Sequence, residues 1–382
     1  MVWRTSSVEQ QRSIFIQEAL DPSTKGTFEE LCDKYNITRK TGYKWLNRFF
    51  ENGEAGLKDL SRARLTQASK ISSETVTNIV NIRQKFADLG PKKINAMMKE
   101  YGYSHVPAAS TIGNYLRDNN LSKPRHYRRH VAKTASLTEC NNPNDVWMYD
   151  FKGYFTTQDG LKCEPLTITD GYSRYLIACD HLDRKRTQDV WAILERVFFE
   201  YGLPNRLRSD NGPPFATTGV GRLSPLAIKV IKAGVIPEWI EPGCPQQNGR
   251  HERFHLTLKN ATANPPAQTR QLQIYKMNQF REFYNHERPH ESLGQIAPSK
   301  VYYPSNRIWD GKFRPPEYSG GNEIRKVGKS GSITWKGTAY FLSESLCGEY
   351  VEIKELEMGL MAISYGPILL GKIDLNKGFK RL

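Results

Sequence analysis

Three acidic residues stand where a chain can present a metal ligand: Asp150, Asp210 and Glu252. Asp150 closes the apolar run Val146-Trp147-Met148-Tyr149, which reads as a buried strand. Asp210 ends a second strand-like segment, Arg206-Leu207-Arg208-Ser209, and runs directly into Asn211-Gly212-Pro213. Glu252 lies just inside a helix that begins after the turn Gln246-Gln247-Asn248-Gly249. Carboxylates this far apart in sequence act together only if the fold gathers them. Once gathered in one cleft they repel each other, and a divalent cation is the natural neutraliser. Hard oxygen ligands favour Mg²⁺ or Mn²⁺.

The elements around these acids must be strands and helices in alternation. Val146–Phe155, Glu164–Thr169 and Arg174–Asp180 read as three consecutive strands, the last two joined by Asp170-Gly171-Tyr172-Ser173. Thr187–Tyr201 is an amphipathic helix stopped by Gly202-Leu203-Pro204. The strand leading to Asp210, a helix over Leu223–Ala233, a short strand Val235–Ile240 and a helix over Gly249–Asn260 follow. This order predicts a mixed-sheet α/β or α+β domain over residues 135–300 and not a Rossmann fold.

Upstream the pattern is helical. Ile14, Phe15, Ile16, Ala19 and Leu20 give one apolar face; Thr27-Phe28-Glu29-Glu30 is a capping box for a second helix; Thr38 caps a third carrying Trp45, Leu46 and Phe49. The third helix opens with Arg39, Lys40, Thr41 and Lys44, polar and cationic residues of the kind a recognition helix sets against base edges and phosphates. Residues 1–60 therefore read as a helix-turn-helix domain and 61–121 as a second helical DNA-binding domain. A basic linker follows over 122–134, with Arg125, Arg128 and Arg129 placed to lie along a phosphate backbone. Residues 301–325, rich in Pro, Gly and aromatics, read as a further linker. Short strands over 326–382, parted by Lys336-Gly337 and Tyr365-Gly366-Pro367, predict a small β-barrel.

Composition agrees with a polyanion partner. There are 55 Lys+Arg against 40 Asp+Glu, a net charge of +15, and +10 of that excess falls in residues 1–134. The six cysteines are scattered without a CxxC pair, which argues against a zinc ribbon or a disulfide framework and suits a reducing compartment. No apolar run approaches membrane-spanning length and no signal-peptide pattern opens the chain, so the expectation is a cytoplasmic protein with no membrane partner.

The strings Tyr149-Asp150-Phe151, Ser209-Asp210-Asn211-Gly212 and Pro245-Gln246-Gln247-Asn248-Gly249-Arg250-His251-Glu252-Arg253 occur in order. Phe283-Tyr284-Asn285-His286-Glu287-Arg288-Pro289-His290, Leu293 and Ala297-Pro298 come after them. In these strings the chain resembles the retroviral-integrase-like DDE transposases of bacterial insertion sequences. The resemblance implies an RNase H-like catalytic domain; the chain departs from retroviral integrases in the loop Ala216–Leu226, an insertion that lengthens the gap between Asp210 and Glu252. It further implies that Asp150, Asp210 and Glu252 are both catalytic and metal-binding, holding two Mg²⁺ ions with Mn²⁺ able to substitute.

The implied partners are double-stranded DNA, as the element's terminal inverted repeats and as target, and further copies of the chain in a dimer or tetramer on DNA. In a bacterial cytoplasm such a protein would be nucleoid-associated while bound. The implied reaction is cleavage at the element end, followed by attack of the freed 3′-OH on target DNA. The alternatives are a non-catalytic helix-turn-helix regulator and an RNase H-like nuclease that does not join.

Beside the acids, Lys259 lies two turns along the Glu252 helix and is a candidate phosphate contact. Asn248 is expected to cap that helix. His251 and His255 receive no catalytic role, and Asp170 and Asp180 read as turn and strand-end acids.

Overall fold

The computed structural model describes residues 7–61, 71–122, 137–318, 320–357, 359–374 and 378–381. Contacts divide the chain into two compact units, residues 1–70 and 71–382.

The first unit is three helices, α1 (Val8–Leu20), α2 (Phe28–Lys34) and α3 (Arg39–Asn52). Each has the side-chain cap its sequence offers: Ser7 and Thr27 form complete capping boxes and Thr38 accepts from the Thr41 N–H. Phe15, Ile16, Leu31, Cys32, Trp45 and Leu57 make its core. Gly42 allows α3 to approach α2, since a Cβ there would lie 2.6 Å from the Cys32 Sγ.

The second unit opens with α4 (Ser73–Lys85), α5 (Pro91–Glu100) and α6 (Ala109–Asp118), which close over Ile79, Ile94, Met97, Met98 and Ile112. The mixed sheet follows. Its strands are β1 (Val146–Phe151), β4 (Pro165–Asp170), β5 (Leu176–His181), β6 (Arg206–Ser209) and β7 (Ile236–Trp239), with the two-residue ribbon β2 (Phe155–Thr156) and β3 (Lys162–Cys163) lying apart. The order is β5-β4-β1-β6-β7. The β5–β4 and β4–β1 pairs are antiparallel; β1–β6 and β6–β7 are parallel. Helices α7 (Thr187–Tyr201) and α8 (Pro225–Lys232) supply the crossovers that parallel strands require. α7, with Val190, Leu194, Val197 and Phe198, covers one face over Trp147, Leu166, Ile168, Ile177 and Leu207. α9 (Gly249–Thr262) and α10 (Arg270–His286) pack with Leu176, Cys163 and Cys179 through Phe254, Leu258, Met277, Phe280 and Tyr284.

The α4–α6 module is bolted to α10 and its C-terminal extension. Phe86 stacks on Phe283 with centroids 3.9 Å apart. Asp88 and Arg288 form a largely buried ion pair at 2.6 Å, and the Tyr101 hydroxyl donates to Glu287 at 2.6 Å.

Residues 301–318 run as a strap across the central domain. Tyr302 stacks on Tyr175, the Ser305 N–H bonds the Tyr201 carbonyl, Arg307 donates to the Pro204 and Gly234 carbonyls, and Trp309 is buried beside Trp191 and Phe198.

The C-terminal strands are β8 (Glu323–Lys326), β9 (Ser332–Trp335), β10 (Thr338–Phe341), β11 (Tyr350–Glu357), β12 (Leu360–Tyr365), β13 (Ile368–Asp374) and β14 (Gly378–Arg381). The closed barrel expected from their spacing is not what the pairings give. Among the described residues they form a five-stranded sheet, β14-β13-β12-β11-β8, and a separate β9–β10 hairpin, so the sheet keeps two free edges. The physical reason is that closure is not needed to bury the apolar face. Val351, Ile353, Ile363, Leu370 and Ile373 share one core with Trp335 of the hairpin and with Val220, Leu223, Ala227, Ile228 and Ile231 of the central domain.

Candidate functional site

β1 and β6 are parallel, with Val146 opposite Arg206 and Met148 opposite Arg208. Continuing that register brings the Asp150 position beside Asp210, the residue that leaves β6. Side chains alternate along a strand, so Asp150 projects with Met148 to one face, and Thr167, its partner on β4, projects with it. Across that face lies the first turn of α9, carrying Glu252 exposed to solvent.

Asp150 senses both of the other acids. Burial pushes the Asp150 carboxyl up to about 7; the negative charge of Asp210 pushes it the same way, and Glu252 adds to this. Hydrogen bonds from the Phe151 backbone and the Asn248 side chain pull in the opposite direction and are outweighed. The donor set is all carboxylate oxygen, which fits a hard divalent cation.

Asp150 and Asp210 are held by their surroundings. Asn248 Nδ2 donates to Asp150 Oδ2 at 3.2 Å and makes no side-chain cap on α9, contrary to the capping role its sequence position suggests. The Gly212 N–H donates to Asp210 Oδ1 at 3.0 Å, and a Cβ on Gly212 would sit 3.2 Å from the other carboxylate oxygen, so a larger residue would press on that carboxylate. Asn211 donates to the Ile240 carbonyl at 2.8 Å, and Arg222 reaches in to donate to Asn211 Oδ1 at 2.9 Å. Arg222 belongs to the loop that the sequence marks as an insertion.

Behind Asp150 lie two histidines. Ligand atoms of Asp150, His251 and His255 fall within 4.8 Å of one another, a grouping of metal-site dimensions. Their hydrogen bonds argue for a different role. The Thr167 hydroxyl is 2.7 Å from both His251 Nε2 and His255 Nε2 and 3.2 Å from the Asp150 carbonyl oxygen; Thr169 Oγ1 is 3.0 Å from His251 Nδ1. One assignment satisfies every contact: Thr167 donates to the carbonyl and accepts from two Nε2–H groups, while Thr169 donates to Nδ1. Burial holds both rings neutral, with pKa values lowered to about 3 for His251 and about 2 for His255. In that state neither Nε2 offers a lone pair to a cation. The histidines brace β1 and β4 under Asp150.

Lys259 is exposed on α9 and its charge, after burial, lowers the pKa of Lys152; the two lysines therefore lie near each other, and Lys152 also feels Asp150. Lys152 escaped the sequence reading, although its position two residues beyond Asp150 was a usable signal.

On α3, Arg39, Lys40 and Lys44 are exposed, with Arg39 in a loose ion pair with Glu29 at 3.7 Å. Thr41 is half-buried, and its hydroxyl is 3.0 Å from that of Thr38 at the helix cap. Arg125, Arg128 and Arg129 lie outside the described residues. Among the described residues no helix is long and apolar enough to cross a membrane.

Residues 141–242 and 233–298 match models described as integrase core domain. Residues 11–64 match a helix-turn-helix domain and 41–116 a homeodomain-like domain. An uncharacterized 39.2 kDa protein of insertion element IS476 from Xanthomonas euvesicatoria is 29% identical over 183 residues, 47% of this chain and 50% of that protein. An uncharacterized 31.7 kDa protein of insertion element IS407 from Burkholderia multivorans is 25% identical over 249 residues, 63% of this chain and 86% of that protein. The chain thus spans about half the length of the first relative and most of the second. Among solved structures, the HTLV-2 integrase catalytic core domain in complex with magnesium aligns with 43% of this chain and all of its own length, at 13% identity and a TM-score of 0.35.

Proposed function

We propose, for a chain built as an integrase-like insertion-element transposase with its integrase core domain behind helix-turn-helix domains, that it cuts DNA at the ends of its own element and joins the freed 3′-OH to target DNA. One observation carries the reading. Asp150, Asp210 and Glu252, drawn from two strands and a helix, lie close enough that Asp210 and Glu252 both raise the Asp150 pKa.

These three residues would hold two Mg²⁺ ions, or Mn²⁺ in their place. The metal, when bound, would supply activation of the attacking oxygen and stabilisation of the leaving one. The chain's own residues do the rest. Asn248 orients the Asp150 carboxylate, and the Gly212 N–H fixes that of Asp210. Lys152 and Lys259 flank the acids with positive charge suited to a DNA phosphate. Arg39, Lys40 and Lys44 at the start of α3 would read and grip the terminal inverted repeats, with Thr41 contributing through the cap that orients that turn. The linker arginines Arg125, Arg128 and Arg129 would follow the backbone. Two element ends must be held at once, which calls for a dimer or tetramer on DNA.

Strand cleavage and joining on duplexes carrying the element's ends, with Mg²⁺, compare wild type with Asp210→Asn and Glu252→Gln. The expected result is joined product in wild type, none in either variant, and DNA binding within a few-fold throughout. Cleavage without joining from a pre-nicked 3′-OH end would leave a nuclease. Binding without any cutting would leave a DNA-binding regulator.

A further inference from the structure

Away from the acidic cluster, a cavity of about 350 Å³ opens between the β4–β5 turn, the start of α9 and residues 292–301. Its lining includes Cys140, Gly171, Arg174, Arg250 and Ser292. Both arginines point at one acceptor: Arg174 Nη1 donates to the Gly171 carbonyl at 2.5 Å and Arg250 Nη1 to the same oxygen at 3.4 Å. Arg174 Nε also reaches the Ser292 hydroxyl at 3.5 Å.

Among the described residues neither guanidinium has a carboxylate partner within ion-pair distance. The acid in the adjoining turn, Asp170, is fully buried and spent on its own turn: it accepts from the Asn144 N–H at 2.7 Å and from the Ser173 N–H and hydroxyl at 2.7 and 2.6 Å. Arg174 is half-buried and feels the charge of Arg250 strongly enough that burial and this neighbour together lower its pKa. Two like charges share one carbonyl at the mouth of a cavity, and the adjacent Asp170, whose charge offsets only part of this, is turned inward and makes no ion pair with either. A bidentate-capable pair of guanidinium groups is the preferred receptor for a phosphate.

We infer that Arg174 and Arg250 form a second phosphate site, one that grips the DNA backbone at a fixed distance from the acidic cluster. The inference rests on the function proposed above. The fold sets the spacing. The Gly171 N–H bonds the carbonyl of Val146, the first residue of β1, while Asp150 lies four residues further along that strand. At roughly 3.3 Å per residue this is about 13 Å. The phosphate held here would lie within a few nucleotides of the one at the acids. Arg250 and Glu252 are two residues apart on α9, and the two sites therefore move as one body.

The test uses the full chain, a duplex carrying the element's end, and no divalent cation. Affinity is measured against salt concentration for wild type, Arg250→Ala and Arg250→Lys; Arg250 is exposed, so its replacement leaves the core intact. Loss of one phosphate contact lowers the slope of log K against log salt by about 0.9. Arg250→Ala is expected to show that drop and Arg250→Lys most of the wild-type slope. Duplexes with a single neutral methylphosphonate, moved along the strand, should weaken wild type at one position and leave Arg250→Ala unaffected there.

A wild-type slope in Arg250→Ala overturns the inference while leaving the proposed function standing. So does calorimetric binding of inorganic phosphate that Arg250→Ala abolishes without any change in the DNA slope, because the site would then take a free anion. Failure of wild type to bind any duplex would sink the proposed function itself.

Discussion

Asn248 donates its side-chain amide to Asp150 at 3.2 Å, across a gap of 98 residues in sequence, and leaves α9 without a side-chain cap. The residue before α9 is thus committed to the acid on β1. Groups that orient a metal ligand typically change metal affinity or activity by about 10–100-fold when removed. Asn248→Ala is expected to lower strand cleavage by that factor and to raise the Mg²⁺ concentration needed for half-maximal cutting, with duplex binding unchanged. Cleavage and Mg²⁺ dependence equal to wild type would show that the amide positions nothing.

The Thr167 hydroxyl accepts from two buried imidazoles. Thr167→Val keeps the shape and removes the acceptor, leaving both Nε2–H groups without a partner; each such loss costs about 1–3 kcal/mol. Urea unfolding should show Thr167→Val destabilised by about 2–5 kcal/mol and Thr167→Ser close to wild type. A neutral Thr167→Val, together with stabilisation by added Mn²⁺ or Zn²⁺ that His255→Ala removes, would favour the other reading, in which the two histidines and Asp150 hold a metal.

What sequence conveyed and what it hid divide along physical lines. Asp150 was legible because an apolar run followed by an acid marks a buried strand reaching the surface, and Asp210 because a strand-like segment runs directly into the turn Asn211-Gly212-Pro213. Both lie where those patterns put them, at the ends of β1 and β6. The caps Thr27 and Thr38 of the first unit were legible because capping is local. The long helix α10 went unread, since its polar and aromatic residues give only a weak apolar stripe. The strap over 301–318 read as a linker because its partners, Tyr175, Trp191 and Phe198, are more than a hundred residues away. The C-terminal strands were legible one by one, but the surface they share with α8 was not. Strand spacing records where turns fall and carries no information on which apolar face another domain covers.

That shared surface leads back to the acids. Gly221 has a φ of +62°, and a Cβ there would lie 2.8 Å from Leu370 of β13. The next residue, Arg222, holds Asn211 beside Asp210. The C-terminal sheet therefore steadies the Asp210 turn through this loop. Arg222→Ala is expected to reduce the turnover of cleavage several-fold with little change in the DNA concentration for half-maximal rate. Gly221→Val, which strains the backbone and collides with Leu370, should lower both stability and turnover. Equal rates in Arg222→Ala and wild type would mean that Ile240 alone fixes Asn211.

Lys93 on α5 is half-buried and lies within reach of the charges of Arg288, Asp88, Glu291 and Arg253. Burial, followed by the charge of Arg288, lowers its pKa to about 8; Asp88 and Glu291 offset part of this and Arg253 adds to it. In an unfolded chain the same amine titrates near 10.4. Between these values the unfolded state holds the extra proton, so Lys93 contributes a rise in stability as pH climbs from about 8 to 10. Below pH 8 both states are protonated and the buried ammonium carries a constant cost, on the order of 3 kcal/mol. Lys93→Met should accordingly be more stable than wild type at pH 7, with the difference shrinking as pH rises to 10. Urea unfolding of both proteins at pH 7, 8.5 and 10 measures this difference directly, and other titrating groups cancel in the comparison. A gap that stays constant or widens with pH would mean that the ammonium is adequately paired by Asp88 and Glu291. The α4–α6 module would then be docked by a neutralised ion network and not in spite of an excess charge.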